Sequence, residues 1–155
     1  MCQIHANTEK YIKLALDEAR KAYKKGEVPI GAVIVKDGQV IARAFNLREN
    51  KRNALYHAEI LAIKRACRKL KSWRLNGCDL YVTLEPCPMC AGAIQQARVS
   101  NLYFGAFDPK GGACGSVMNI LEADKLNHNV NVFGGISQDE CGGIIKQFFR
   151  ERRAK

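Results

Sequence analysis

The stretch Leu80-Tyr81-Val82-Thr83-Leu84-Glu85-Pro86-Cys87-Pro88-Met89-Cys90 passes from an apolar run into a Pro-Cys-x-x-Cys pattern. Its first part, Leu80–Thr83, contains aromatic and β-branched residues, which predicts a short buried strand. Pro86 then marks the start of a helix that we expect over about Cys87–Ala97, because proline is favoured at helix starts. A strand that leads into a helix is typical of layered α/β domains.

The residues before this stretch predict two helices and a hairpin. Apolar residues recur at helical spacing between Thr8, taken as the N-cap, and Gly26, taken as the stop. Two apolar runs, at 30–36 and 40–44, predict strands, and Asp37-Gly38 between them is a strong hairpin-turn pattern. A polar loop at 46–53 precedes a second helix, which we expect over His57–Leu70.

The residues after this stretch predict two further strands and a last helix. Leu102–Gly105 is expected to form a strand, and a glycine-rich loop follows it through Gly115. Asn129–Val132 alternates polar and apolar residues, which predicts the last strand. Ser137-Gln138-Asp139-Glu140 has the pattern of a capping box that opens a C-terminal helix. The whole order predicts one α/β domain over residues 1–155, with helices covering a mixed sheet.

Composition and charge narrow the class of protein. The chain has 155 residues, of which 47% are hydrophobic and 26% charged, and this balance excludes a disordered or low-complexity protein. No apolar run approaches the roughly 18 residues that a membrane span needs, so we expect no membrane partner. The first ten residues lack a basic region followed by an apolar one, so we expect a cytoplasmic protein. The net charge of +10 favours a polyanionic partner or simply serves solubility.

His57, Glu59, Cys87 and Cys90 form the pattern that carries chemistry. A Cys-x-x-Cys pair at a helix start and a distant histidine can hold zinc in tetrahedral geometry. Three protein ligands leave one position for water, which zinc activates, and Glu59 can take up and return the proton. His-x-Glu followed by Pro-Cys-x-x-Cys is the pattern of zinc deaminases, which hydrolyse a C–NH₂ bond on a base.

A structural zinc site is the alternative interpretation of the same residues. It needs a fourth protein ligand, for which Cys78, Cys114 and Cys141 are the candidates. The chain would then be a non-catalytic, zinc-stabilised RNA-binding module.

From about Tyr11 to Arg153, the chain resembles the bacterial tRNA-specific adenosine deaminases of the TadA type, in the cytidine deaminase superfamily. The matching stretches include 26–33, 57–62, 80–94, 104–110, 127–128 and 148–153. The resemblance implies a cytidine-deaminase-like three-layer fold with a five-stranded mixed sheet flanked by helices. It also implies a homodimer with one zinc ion per chain. The implied reaction converts adenosine to inosine at the wobble position of a tRNA anticodon stem-loop.

The resemblance also implies a role for individual residues. It makes His57, Cys87 and Cys90 the zinc ligands and Glu59 the proton shuttle. The substrate-binding residues that it implies are Asn46 on the flipped nucleoside, Val28, Pro29 and Leu84 around the base, Asp108 on the nucleotide backbone, and Phe149, Arg150, Arg152 and Arg153 on the RNA-binding surface.

The C-terminal helix supports an RNA-binding surface by its composition. Its basic residues are Lys146, Arg150, Arg152, Arg153 and Lys155, which stand beside Phe148 and Phe149. Basic side chains bind phosphates, and an aromatic ring can stack on an unpaired base. In the alternative interpretation both rings pack in the core, and the basic residues form a solvated helix end. Only one face of a helix can meet RNA, and we expect Phe148 to be the core residue of the two.

The segment Asn53-Ala54-Leu55-Tyr56 departs from the family pattern, which usually has small residues just before the histidine. Tyr56 either fills a gap in the packing or enters the pocket and changes which base fits. The second possibility keeps open an alternative function, deamination of a free nucleobase or nucleoside such as guanine, cytosine or a modified base, because a hydroxyl that pairs with a substrate edge discriminates strongly.

Overall fold

One five-stranded sheet divides the chain into three layers. The computed structural model describes residues 2–122 and 126–154, and side chains from residue 7 onward; Lys155 lies outside the described residues. Its elements are α1 (Cys2–Lys24), β1 (Gly31–Lys36), β2 (Gln39–Phe45), α2 (Ala58–Leu70), β3 (Cys78–Leu84), α3 (Pro88–Gln96), β4 (Asn101–Ala106), a 3-10 turn (Ile120–Glu122), β5 (Asn131–Phe133) and α4 (Gln138–Arg153).

The sheet is mixed, as predicted. Its strand order is β2-β1-β3-β4-β5, with β1 antiparallel to β2 and β3. Strands β3, β4 and β5 are parallel, and α3 makes the crossover between β3 and β4. The carboxyl ends of β3 and β4 therefore meet at one edge, where Leu84 pairs with Ala106. The loops that follow these two strands begin side by side.

Helices cover both faces of the sheet, and this explains the continuous apolar runs of the central strands. In β1, Ala32 and Ile34 pack with α2 and α3, whereas Val33 and Val35 pack with α1. A strand that is buried on both faces needs apolar residues at every position. Helix α4 joins α1 on the second face, where Cys141 packs in the same cluster as Val33.

The Asp37-Gly38 turn confirms the predicted hairpin. Both residues have positive φ, at 50° for Asp37 and 75° for Gly38. This is the type I′ geometry, whose twist matches that of the two strands that it connects.

One predicted helix start and one predicted capping interaction are wrong. Helix α1 begins at Cys2, before Thr8, because no glycine or proline interrupts the preceding residues, so Thr8 lies inside the helix. The capping box at Ser137 does not form, because Ser137 is left-handed (φ 50°, ψ 43°) and its side chain makes no cap bond. The side chain of an N-cap residue accepts a hydrogen bond from the first helical turn when the backbone of that residue is extended. The Glu140 carboxylate pairs instead with Arg20 of α1, at 3.4 Å.

Smaller differences concern the segment before α4. The sequence did not predict the 3-10 turn, and β5 begins at Asn131 rather than at Asn129. The short β5 pairs only with residues 101–103, the first half of β4. Among the described residues, no helix combines the length and the apolar character needed to cross a bilayer.

Candidate active site

Two helix starts on the same face of the sheet bring the predicted metal ligands together. His57 is the N-cap of α2 and Cys87 is the N-cap of α3, and both have extended backbone conformations. Pro88 follows Cys87 as the first residue of α3, and Cys90 lies in the first turn and is buried. The positive ends of both helix dipoles point toward this place, which stabilises thiolate ligands.

The distances between the ligand atoms suit a zinc ion. His57 Nδ1 lies 3.7 Å from Cys87 Sγ and 3.5 Å from Cys90 Sγ. Ordinary Zn–N and Zn–S bonds in a tetrahedron place two ligand atoms roughly 3.6 Å apart. All three ligand atoms lie within 4.8 Å of one another, and in the described part of the chain this is the only group of three or more histidine, cysteine or acidic residues so placed. The donor set therefore fits the metal.

The protonation of the two thiols also fits a metal site. A hydrogen bond from Cys90, stronger in effect than burial, lowers the pKa of Cys87 to about 4. The same contact, together with burial, raises the pKa of Cys90. The hydrogen bond to Cys87 raises the pKa of His57. Both sulfur atoms would bind a cation as thiolates, so metal binding would release the remaining thiol proton.

None of the candidate fourth ligands joins this cluster in the described residues. Cys141 packs with α1 on the opposite face of the sheet, and Cys78 begins β3 at the far end from the metal ligands. Cys114 is buried and close enough to Cys87 to feel its charge, but it lies outside the ligand group. The geometry therefore favours a three-ligand site with a free position over a closed structural site.

Glu59 lies in the first turn of α2, two residues after His57, and only 4% of it is exposed. Burial raises the pKa of this carboxyl to about 7. A carboxyl group with a pKa near 7 can both accept and return a proton at physiological pH. The position of Glu59 beside the ligand cluster matches its predicted role.

A small cavity of about 110 Å³ opens beside His57. Its lining residues are Val28, Ile30, Asn46, Arg48, His57 and Ala58. The Asn46 amide nitrogen donates to the Val28 carbonyl at 3.2 Å, and its amide oxygen accepts from the Arg48 N–H at 3.1 Å. These bonds hold the Asn46 side chain in the cavity wall. Pro29 is buried between Val28 and Ile30 and is not among the lining residues.

A larger cavity of about 460 Å³, which we call the groove, adjoins the small one and shares Val28 and Arg48 with it. It runs past the loop after β4 to helix α4. The groove brings together four residues that the sequence analysis assigned to the substrate, namely Val28, Leu84, Asp108 and Phe149. These residues come from four separate parts of the chain.

The groove leads into a cationic cavity of about 590 Å³ at the end of α4. Its lining residues are Lys110, Ile145, Lys146, Phe149, Arg150 and Arg153. Arg152 is placed differently, because its guanidinium lies over the Phe148 ring, 5.0 Å from the centroid. Phe148 is buried at 4% exposure, whereas Phe149 is 43% exposed and borders both cavities. The prediction that Phe148 is the core residue is confirmed.

Tyr56 packs against the hydrophobic core on the α2 side, and Lys64 Nζ lies 5.8 Å from its ring centroid. It is not among the residues that line the two described cavities at the metal cluster. This placement supports the interpretation in which Tyr56 fills a gap in the packing.

Sequence reasoning missed two buried carboxylates that anchor the site's loops. Glu27, 1% exposed, accepts hydrogen bonds from the backbone of Glu49 and Asn50 and from the Asn50 side chain. It thereby fixes the loop that carries Asn46 and Arg48. Glu85 anchors the loop after β4 in a similar way. The available signal was a glutamate inside an otherwise apolar segment, at Glu27-Val28-Pro29 and at Leu84-Glu85-Pro86.

Comparison with known proteins agrees with this geometry. The family model of the MafB19-like deaminases matches residues 6–153. The chain is 56% identical over 147 residues to a tRNA-specific adenosine deaminase of Bacillus subtilis (strain 168), covering 95% of this chain and 91% of that protein. It is 50% identical to that of Agrobacterium fabrum, covering 92% of this chain and 94% of the relative. A solved structure from a study of A-to-I editing by tRNA:A34 deaminases superimposes with a TM-score of 0.84, at 48% identity, covering 87% of this chain and 98% of the other.

Proposed function

Because this chain belongs to the family of tRNA-specific adenosine deaminases, we propose that it converts adenosine to inosine at the wobble position of a tRNA anticodon. One observation carries the proposal: His57 of the metal-ligand cluster borders the cavity that Asn46 lines, and this cavity shares Val28 and Arg48 with a groove that ends among basic side chains. A free base would occupy only the small cavity beside His57. A nucleotide within a folded RNA is flanked by other nucleotides, which would contact the groove and the basic side chains as well.

We propose that each chain holds one zinc ion on His57, Cys87 and Cys90. When bound, zinc lowers the pKa of a coordinated water to about 7 and so supplies the nucleophile at neutral pH. Glu59 takes one proton from the attacking water and delivers it to a ring nitrogen of adenine, and it then passes the proton of the new C6 hydroxyl to the leaving amine. Water adds at C6 of adenine, the C6–N bond breaks, and ammonia leaves. The near-neutral pKa of Glu59 allows both transfers.

The other substrate roles follow the geometry of the cavities. Val28 and Leu84 offer apolar surface along the path to the metal cluster, and Asn46 offers its amide from the cavity wall. Asp108 borders the groove, while Lys146 and Arg150 supply cations for the phosphates of the flanking nucleotides. Pro29 supports the wall from behind. Arg152 and Arg153 add positive charge on either side of the same helix end.

We propose a homodimer in the cytoplasm. Large apolar side chains are exposed near the metal cluster, with Leu55 57%, Val117 51% and Met118 45% accessible. Leu55 lies two residues before His57, and the other two lie in the loop that Glu85 anchors. Exposed apolar surface of this kind is typical of protein interfaces. A tRNA substrate and the unpaired thiols suit a reducing cytoplasm.

The assay that tests the proposed function offers the zinc-loaded protein an anticodon stem-loop with adenosine at the wobble position. Free adenosine, guanine and cytosine are offered in parallel, and mass spectrometry detects the exchange of an amine for a hydroxyl. We expect inosine in the stem-loop, with binding that weakens steeply as salt concentration rises. Turnover of a free base with an unchanged stem-loop would instead support the alternative function and give Tyr56 a part in specificity.

Phe148 and Phe149 provide a matched pair of variants. Phe149→Ala is expected to weaken stem-loop binding by about 1–3 kcal/mol, the value of one stacked base, with little effect on stability. Phe148→Ala removes a buried ring and is expected to lower the free energy of unfolding by about 3–5 kcal/mol. Fluorescence anisotropy with labelled stem-loop and urea unfolding measure the two effects. If Phe149→Ala changes only stability, Phe149 is not part of the RNA surface.

A further inference from the structure

We propose that Glu85 is a positioning residue that fixes the loop of residues 108–118 to the strand leading to the metal ligands, an inference that rests on the proposed function. Glu85 follows β3 directly and is only 2% exposed. It does not touch the substrate groove, and it is therefore not a catalytic residue. Its effect passes through the loop that it holds.

Both ends of this loop meet at the Glu85 carboxylate. Oε1 accepts a hydrogen bond from the Asp108 N–H at 3.0 Å. Oε2 accepts from the Cys114 N–H and from the Ser116 N–H, each at 3.0 Å. The Ser116 hydroxyl also donates to Oε1. The two oxygen atoms of the Glu85 carboxylate thus accept four hydrogen bonds from this one loop.

The loop wraps so closely around the carboxylate that one position must be glycine. A Cβ atom on Gly112 would lie 2.3 Å from the Glu85 carboxyl carbon. The neighbouring Ala113 N–H donates to the Pro86 carbonyl at 2.8 Å, so the backbone cannot move away without losing that bond. Gly112 thus provides a second way to disturb the same contact.

Glu85 lies between two parts of the site whose spacing matters. On one side the chain continues through Pro86 to the metal ligand Cys87. On the other side the carboxylate holds Asp108, which borders the groove. The carboxylate therefore sets the distance between the metal cluster and one wall of the groove. Moving this wall would weaken the binding of the RNA segment that lies along the groove.

The test compares Glu85→Gln and Gly112→Ala with Gly92→Ala. A Cβ on Gly92, in α3, meets nothing within 4 Å, so this control repeats the chemical change without the contact. For the first two variants we expect KM for the stem-loop to rise at least about tenfold, with one zinc per chain and kcat nearly unchanged. Amide hydrogen exchange at residues 108–118 should become faster. Gly92→Ala should behave as the parent protein in all of these measurements.

A merely structural role gives a different result, because partial unfolding lowers kcat through the active fraction and leaves KM unchanged. The proposal would be overturned by a lower kcat with unchanged KM, by loss of zinc, or by unchanged hydrogen exchange. It would also be overturned if Gly112→Ala behaved like Gly92→Ala. If Glu85→Gln does not fold, Ser116→Ala serves as the test, because it removes only the hydroxyl that donates to Glu85. For this variant we expect KM for the stem-loop to rise about threefold. An inactive parent protein would count against the proposed function, whereas hydrogen exchange tests the loop contact without any turnover.

Discussion

Replacing Glu59 by Gln is expected to lower kcat for stem-loop deamination by at least about 1,000-fold, within the range that a general acid–base residue contributes. The amide side chain of this variant cannot accept a proton from water or return one to the leaving amine. The variant should keep the zinc ion and its affinity for the stem-loop, since His57, Cys87 and Cys90 are unchanged. Stability should stay the same or rise, because an uncharged amide replaces a buried carboxyl group.

Single-turnover assays, metal analysis and anisotropy measure these three properties separately. Glu9→Gln is the matched control, since Glu9 is exposed on α1, across the sheet from the site. Glu9→Gln makes the same chemical change as Glu59→Gln and should have the turnover of the parent protein. Equal turnover in Glu59→Gln and the parent protein would remove Glu59 from the mechanism.

Replacing Cys87 by Ala is expected to reduce the bound zinc from one per chain to near zero and the deaminase activity to background. Two ligands hold zinc much more weakly than three, and the lost metal takes its activation of water with it. The melting temperature of the parent protein should rise when zinc is added. At a hundredfold excess over Kd, the ligand stabilises the fold by about 2.7 kcal/mol. The variant should show no such rise.

Two other cysteines give controls for this experiment. Cys67→Ser changes a partly buried thiol at the end of α2, whose sulfur faces the Trp73 carbonyl, and should not affect zinc content. Cys114→Ala removes the thiol nearest the cluster that is outside the ligand group. Full zinc content in Cys114→Ala supports the three-ligand site. Loss of zinc from it would establish Cys114 as a fourth ligand and a structural role for the metal.

Local patterns in the sequence were sufficient for much of the fold. The hairpin at Asp37-Gly38, the mixed sheet and the positions of β3 and β4, though not their bounds, follow from periodicity and turn residues, which act within a few positions of the chain. The N-cap predicted at Thr8 and the capping box predicted at Ser137 were wrong, because helix capping depends on backbone conformation as well as on residue type. At Ser137 the left-handed conformation decided the outcome.

The sequence by itself determined which residues form the candidate metal cluster. His57, Glu59, Cys87 and Cys90 follow the pattern of zinc deaminases, which predicts three metal ligands and a proton shuttle, and the structure brings the three ligands together. Only the tertiary structure decided which of Phe148 and Phe149 is exposed, where Tyr56 packs, and that Glu27 and Glu85 hold the loops. The physical reason is that burial and hydrogen bonding depend on segments distant in the chain, and no local pattern specifies how those segments approach one another.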